Sequence, residues 1–370
     1  MRVLMISKAL VAGTSQRKLE ELAKCPGVEL TLVTPPYWQS DDGSKLVLER
    51  LYTSGYQMIV TPMRLNGNFH LHYYPLLGKI MGDVRPEVVH IDEEPYNFAT
   101  FHAMRLANKQ KAKALFFTWQ NLYRNYPPPF RYLELYNYRH AAAALAGNRD
   151  AAEVLRRKGY TGPISIIPQF GFDTDIYQRS EPRRPRAPGD PFTLGFVGRL
   201  KDNKGLDLLV AALPELPHYC RLVFIGNGPM KEQLAQQAQR LGVVQRVIFK
   251  GGLPTYEIPR EMQQLDALVL PSVTRPNWIE QFGRVLPEAM ACETPVIGSS
   301  SGEIPHVIGD AGLVFEEGNV QELVARIRQL LDDPELYAQL AAKGRQRVLE
   351  NYTQEQIARQ TYKVYQQMLA

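Results

Sequence analysis

The chain has 370 residues, 45% hydrophobic and 22% charged, the balance of a soluble globular protein and not of a disordered one. Its net charge of +5 suits an anionic partner without choosing among nucleotide, lipid surface and nucleic acid, and its length exceeds one ordinary core, so two domains are expected. No run approaches the roughly eighteen apolar residues of a membrane span, and Cys25, Cys220 and Cys292 have neither metal spacing nor a disulfide framework.

The opening Met1-Arg2-Val3-Leu4-Met5-Ile6 is too short and too quickly polar for a signal peptide and reads as a first strand, which points to a cytoplasmic chain with buried thiols. Short apolar runs rich in β-branched residues then alternate with amphipathic stretches, the rhythm of βα units on parallel sheets. Strands are predicted at 3–6, 28–33, 58–61, 88–91, 115–118 and 164–167, with helices at 15–24, 98–109 and 150–158. The rhythm resumes with strands at 193–197, 222–225, 247–249, 267–270, 295–297 and 313–315, and helices at 230–241 and 320–331. Between the two series the prolines of residues 181–191 cannot donate backbone hydrogen bonds, and they turn their predecessors away from helix.

The expectation is an α/β protein of two doubly wound, mainly parallel, Rossmann-like domains. They span 1–178 and 192–350, with a linker at 179–191 and a terminal helix at 351–370 that returns to the first domain. In such sheets ligands lie beyond the carboxyl ends of the strands, so two facing domains are expected to hold the site between them.

Gly198-Arg199-Leu200 leaves the carboxyl end of the strand at 193–197, and Lys204-Gly205 turns into the next helix. Arg199 can fork two phosphate oxygens and Lys204 supplies a compact point charge, aided by the helix start. On residue type alone a solvated basic turn competes with that reading. Further on, Glu280 precedes Phe282-Gly283 at a helix start and Glu288 lies within that helix. Two such carboxylates can accept from the vicinal hydroxyls of a sugar and of a ribose, although a capping acid and a helix-surface residue would have the same types.

Together Gly198-Arg199-Leu200, Lys204-Gly205, Phe224-Ile225-Gly226-Asn227-Gly228-Pro229, Glu280-Gln281-Phe282-Gly283, Glu288-Ala289-Met290-Ala291 and Thr294-Pro295-Val296-Ile297 resemble family 4 of the retaining glycosyltransferases, which have the GT-B fold. Ile167-Pro168-Gln169-Phe170-Gly171-Phe172-Asp173 resembles that family's domain junction, and Gly302-Glu303-Ile304-Pro305 its late glycine turn. The match is detailed over the second half and architectural over the first.

The resemblance implies transfer of a hexose-like sugar from a nucleoside diphosphate to a hydroxyl with retention, needing neither metal nor cofactor. It implies that Arg199 and Lys204 bind the donor diphosphate, that Glu280, Phe282 and Gly283 contact the donor sugar, and that Glu288 binds the ribose. Gly198 belongs to the same donor set, and Arg199, Lys204 and Glu280 are the catalytic trio. The leaving phosphate itself would take the acceptor's proton, leaving the protein to position and to stabilise charge.

Three positions depart from the family pattern. The first loop has a single glycine, Gly13, where many members have two. Trp119-Gln120-Asn121 stands where members often place a histidine, and Glu293 stands where glycine is usual. Asp92 and Glu93, after the strand at 88–91, join Gln120 and Asn121 as acceptor-side candidates, with the polar and aromatic residues 64–72 near the same rim.

Peripheral contact with the inner face of a membrane, through Lys109, Lys111 and Lys113 or the basic linker, is a further expectation. The alternative function is a non-catalytic sugar-nucleotide-binding subunit of a transferase. Nucleic-acid binding is disfavoured, because no recognition element gathers the basic residues.

Overall fold

The computed structural model describes residues 1–40, 43–181 and 189–370. The chain divides into two units, Met1–Gly171 with Gln354–Ala370, and Phe172–Thr353. The sequence reading gave residues 172–178 to the first domain and 351–353 to the last helix; both stretches group with the second unit. Of the expected linker, residues 182–188 lie outside the described residues.

The first unit carries strands β1 (Arg2–Ile6), β2 (Glu29–Thr34), β3 (Tyr37–Gln39), β4 (Lys45–Val47), β5 (Gln57–Val60), β6 (Val88–Ile91), β7 (Lys113–Thr118), β8 (Ala143–Ala146) and β9 (Ile164–Ile166). Its chain-order helices are α1 (Arg17–Ala23), α2 (Leu77–Val84), α3 (Phe98–Lys109), α4 (Phe130–His140) and α5 (Arg149–Arg157). Seven strands form one parallel sheet in the order β5-β2-β1-β6-β7-β8-β9, while β3 and β4 pair as a separate antiparallel ribbon.

Side chains alternate across a strand, and both faces here are covered. Leu4 and Ile6 enter the cluster holding Met104 and Phe116, whereas Val3 and Met5 enter the opposite one with Leu19 and Leu115. That second cluster also takes Ile357, Ala358, Val364, Tyr365 and Met368. These residues lie on the chain's last helix, Gln354–Leu369, so this helix completes the first unit's core. His90 is buried with its Nδ1 2.6 Å from the Tyr365 hydroxyl.

The second unit carries β10 (Phe192–Val197), β11 (Cys220–Ile225), β12 (Val247–Gly251), β13 (Ala267–Leu270), β14 (Val296–Ser299) and β15 (Leu313–Phe315), all parallel in the order β12-β11-β10-β13-β14-β15. Its helices are α6 (Leu206–Ala212), α7 (Lys231–Arg240), α8 (Ile258–Gln264), α9 (Val285–Ala291), α10 (Ile304–Ile308), α11 (Val320–Asp332) and α12 (Pro334–Asn351), and the terminal helix is α13. Across β10, β11 and β12, Phe224 stacks on Phe249 at 5.2 Å between centroids and meets Phe196 at 6.3 Å, tilted by 60°. Among the described residues no helix is long and apolar enough to cross a membrane. Of the three thiols, Cys220 and Cys292 are buried as expected, but Cys25 is only half-buried.

Candidate active site

In the second unit, β10 and β13 are neighbours, so the loops leaving their carboxyl ends meet. The turn after β10 places Gly205 at φ +60°, just before α6, and a Cβ there would fall 2.1 Å from the Pro271 carbonyl oxygen. Only glycine satisfies both demands. The contact is fastened by Val273 N–H donating to Asn203 O at 3.0 Å and by Arg275 Nη2 donating to Asp202 O at 3.3 Å.

That junction brings Lys204 and Glu280 together. The Lys204 ammonium lies 2.5 Å from Glu280 Oε2 and 4.8 Å from the centre of the Trp278 ring. Ser272 Oγ, fully buried, donates to the same Glu280 oxygen at 2.7 Å. Ser272 is itself held by Ser299, whose Oγ donates to the Ser272 carbonyl at 2.5 Å. Glu280 is therefore fixed from two strand ends, and its backbone carbonyl accepts from Glu303 N–H in the late glycine turn. Gly302, at φ +54°, has the Glu280 carbonyl where a Cβ would be, at 2.1 Å.

Neither Ser272 nor Trp278 was singled out from sequence, although Ser272 follows a buried strand and Trp278 precedes the first glutamate of the motif. Arg199 lies on the same edge, exposed, and its guanidinium has no ion-pair partner among the described residues.

Phe282 is buried, nearly coplanar with Phe172 (centroids 6.3 Å) and edge-on to Tyr352 (5.6 Å). Gly283, at φ +75°, leads into α9 against Leu270. Glu288, on α9, is buried beside Arg284, whose Nη2 lies 3.9 Å from its Oε1, and it is hydrogen-bonded with Tyr177. Burial pushes its carboxyl up to about 7, against the pull of Arg284 and Tyr177. Glu293 is exposed, and its φ of +56° is the backbone a glycine adopts at lower cost.

The first unit treats its candidates differently. Gly13 is buried and its N–H donates to the Glu49 carboxylate at 2.8 Å. Asp92 is buried, accepting from Ser7 Oγ at 2.7 Å, with Lys18 Nζ 4.0 Å away. Glu93 is buried and paired with Lys8, and His72 Nε2 lies 3.5 Å from its Oε1. Burial alone would raise Glu93, but Lys8 and then His72 bring it down to about 2. The neighbouring Glu94, third carboxylate of the same run, accepts from Thr118 Oγ1 at 2.6 Å and from Trp119 N–H at 2.8 Å. Burial lifts it to about 7 against those two bonds. Gln120 is buried, its Oε1 accepting from Lys158 at 3.2 Å, and Asn121 is half-buried beside it. Thus the acidic run after β6 is mostly engaged by internal partners that fix the loops after β1 and β7, while Asp92 Oδ1 is buried with no hydrogen bond among the described residues. Among the described residues no three His, Cys, Asp or Glu side chains gather as a metal site.

Residues 178–347 match the family model of glycosyl transferases group 1. The chain is 33% identical over 205 residues to a GDP-mannose-dependent alpha-(1-6)-phosphatidylinositol monomannoside mannosyltransferase of Mycolicibacterium smegmatis, covering 52% of this chain and 54% of that one. It is 34% identical over 188 residues to a glycogen synthase of Mycobacterium tuberculosis, covering 50% and 44%. The chain thus spans about half the length of the curated relatives it matches. Among solved structures, Anabaena HepE in complex with UDP aligns with TM-score 0.71 at 19% identity over 99% of this chain and all of that one, a likeness of fold. A glycosyltransferase of Rickettsia africae aligns at 0.73 and 18% identity, covering 100% and 98%. The two Rossmann-like units of mainly parallel strands thus share the GT-B fold of these structural neighbours, and residues 178–347 carry the likeness to glycosyl transferases group 1.

Proposed function

We propose that this protein is a retaining glycosyltransferase of family 4, moving a hexose-like sugar from a nucleoside diphosphate to a hydroxyl without a metal. The observation that carries the reading is the Lys204 ammonium, pinned between the Glu280 carboxylate and the Trp278 ring where β10 and β13 end. Cation and carboxylate side by side at the carboxyl edge of a Rossmann-like sheet suit an anionic leaving group and the hydroxyls of the sugar attached to it.

In this reading Arg199 and Lys204 neutralise the diphosphate as the bond from the anomeric carbon to its oxygen breaks. The acceptor oxygen bonds to the same face of that carbon, and its proton passes to the departing phosphate oxygen. Glu280, with the Phe282–Gly283 backbone, orients the sugar, and Glu288 accepts from the ribose diol. Gly198 keeps the loop below Arg199 close to the donor. Gly13 remains a donor contact in this proposal, and the Glu49 carboxylate on its amide would have to leave for a phosphate oxygen to replace it. The acceptor side is assigned to the loops that Asp92, Glu93, Gln120 and Asn121 organise.

Relatives named for GDP-mannose and neighbours solved with UDP leave the base open, so a panel is needed. Purified protein should turn over at least one of the UDP-, GDP- or ADP-hexoses, give product of the donor's anomeric configuration by NMR, and keep its rate in EDTA. If no donor is bound or turned over, the reading fails; an inverted product or loss of activity in EDTA removes retention or metal independence. A second reading, a sugar-nucleotide-binding subunit without catalysis, rests on Gln120, tied to Lys158 where the family often has histidine. Tight nucleotide binding with no product across acceptors would favour it.

A further inference from the structure

Three cations of the first unit play no part in the site above. They stand at the opposite edge of its sheet, where β1, β6 and β7 begin. A concavity of about 630 Å³ there is lined by Arg2, Arg85, Glu87, Lys111, Lys113 and Leu369, among others. Its single acid is already committed: Glu87 Oε2 accepts from Arg2 N–H at 2.9 Å and lies 3.8 Å from Arg2 Nη2. Arg85, Lys111 and Lys113 are exposed and have no acidic partner among the described residues.

The backbone makes this gathering unusual. Arg85 closes α2 at φ +50°, and Lys111 follows α3 at φ +58°. Both are left-handed positions just past a helix, where glycine is the ordinary occupant and a side chain is strained. At each the helix ends in the expected way, with Arg85 N–H donating to Met81 O at 2.9 Å and Ala112 N–H to Ala107 O at 3.0 Å. Complementing a helix dipole asks for a cation anywhere in the last turn. It does not ask for one on the strained residue, nor for Lys113 on a strand. Arg2 Nε donates to Arg85 O at 2.7 Å, so the strained residue is also braced.

We propose that this edge of the first unit is a binding site for a phosphate-bearing anion, held by Arg85, Lys111 and Lys113. A planar fork and two compact ammonium groups around one concavity are the donor set such a group takes. The phosphate can belong to a soluble ligand or to a lipid headgroup, which share this chemistry.

The double variant Arg85→Gly with Lys111→Gly separates a ligand site from a mere helix end, because glycine relieves the backbone at both positions. Calorimetric titration with inorganic phosphate and with pyrophosphate should be run beside co-sedimentation with vesicles of phosphatidylcholine, alone or mixed equally with phosphatidylglycerol. The variant should melt at or above the temperature of the native chain yet bind at least about tenfold more weakly. Lys204→Ala should leave this component of binding intact. Loss confined to the soluble anions assigns a soluble ligand, and loss confined to the mixed vesicles assigns a headgroup. Native protein that binds none of these probes, or a double variant that binds as well as the native chain, overturns the proposal.

Discussion

The two units place a lysine and a glutamate at matching points of matching sheets, and under the proposed function they use them for different ends. In the first, Lys8 follows β1 and Glu93 follows its neighbour β6; in the second, Lys204 follows β10 and Glu280 follows its neighbour β13. Each ammonium also lies over an indole, at 5.2 Å from Trp38 and 4.8 Å from Trp278. The first pair is sealed, with side chains 13% and 1% exposed, and His72 closes the far side of the carboxylate. The second is 21% and 10% exposed, with Arg199, which has no ion-pair partner among the described residues, on the same edge. Under the proposed function, burial separates the pair that stays structural from the pair that exchanges its partner for a ligand.

The sharpest break in that comparison is Lys8→Ala. It leaves Glu93 buried without its cation and should cost about 3–5 kcal/mol of unfolding free energy by denaturant titration, most of it recovered when Glu93→Gln is added to Lys8→Met. Little change in stability would place the two pairs on the same footing. Lys204→Ala should do the reverse. Its melting temperature should stay near the native value, while turnover of the active donor falls by two to three orders of magnitude, about 3 kcal/mol of barrier.

Acid and base titration sharpen the contrast next. Glu93 has a folded value near 2, below the usual 4.5, so its contribution is full above about pH 4.5 and is lost as pH falls through 2. Glu288, raised to about 7, has the opposite sign: the fold holds its proton more tightly than the unfolded chain does. Stability should therefore decline as pH rises from about 4.5 to 7, by on the order of 2–3 kcal/mol. Glu288→Gln should flatten that limb of a stability-against-pH curve, and should also weaken nucleotide binding at pH 8, where the native carboxylate is ionised. The smallest effect belongs to Glu293→Gly, which removes a left-handed non-glycine residue and should raise stability by about 1 kcal/mol with activity unchanged.

The six strands of the second unit were readable because each is a short apolar run at the family's spacing, fully buried in β13 and β14, and the fold class followed. In the first unit β8 escaped. Ala143 to Ala146 have a composition that favours helix, and burial between β7 and β9 overrides it. The β3–β4 ribbon is too short to show a period.

At the site, Lys204 and Glu280 were visible as motif residues, but their contact was not, since it depends on the close approach of the Pro271 carbonyl to Gly205, far apart in sequence. The engagement of Asp92 and Glu93 was hidden for the same reason. Their partners, Ser7, Lys8, Lys18 and His72, come from three separate segments, and no spacing rule joins them.

The membership of α13 has a consequence for synthesis. Residues Ile357 to Met368 fill the first unit's core, yet the whole of the second unit is translated before them. On the ribosome the second unit can close as soon as it emerges, while the older half waits with an apolar face of its sheet uncovered. That interval, rather than any weakness of the finished protein, is where a chaperone would be needed and where a stalled or shortened chain would aggregate.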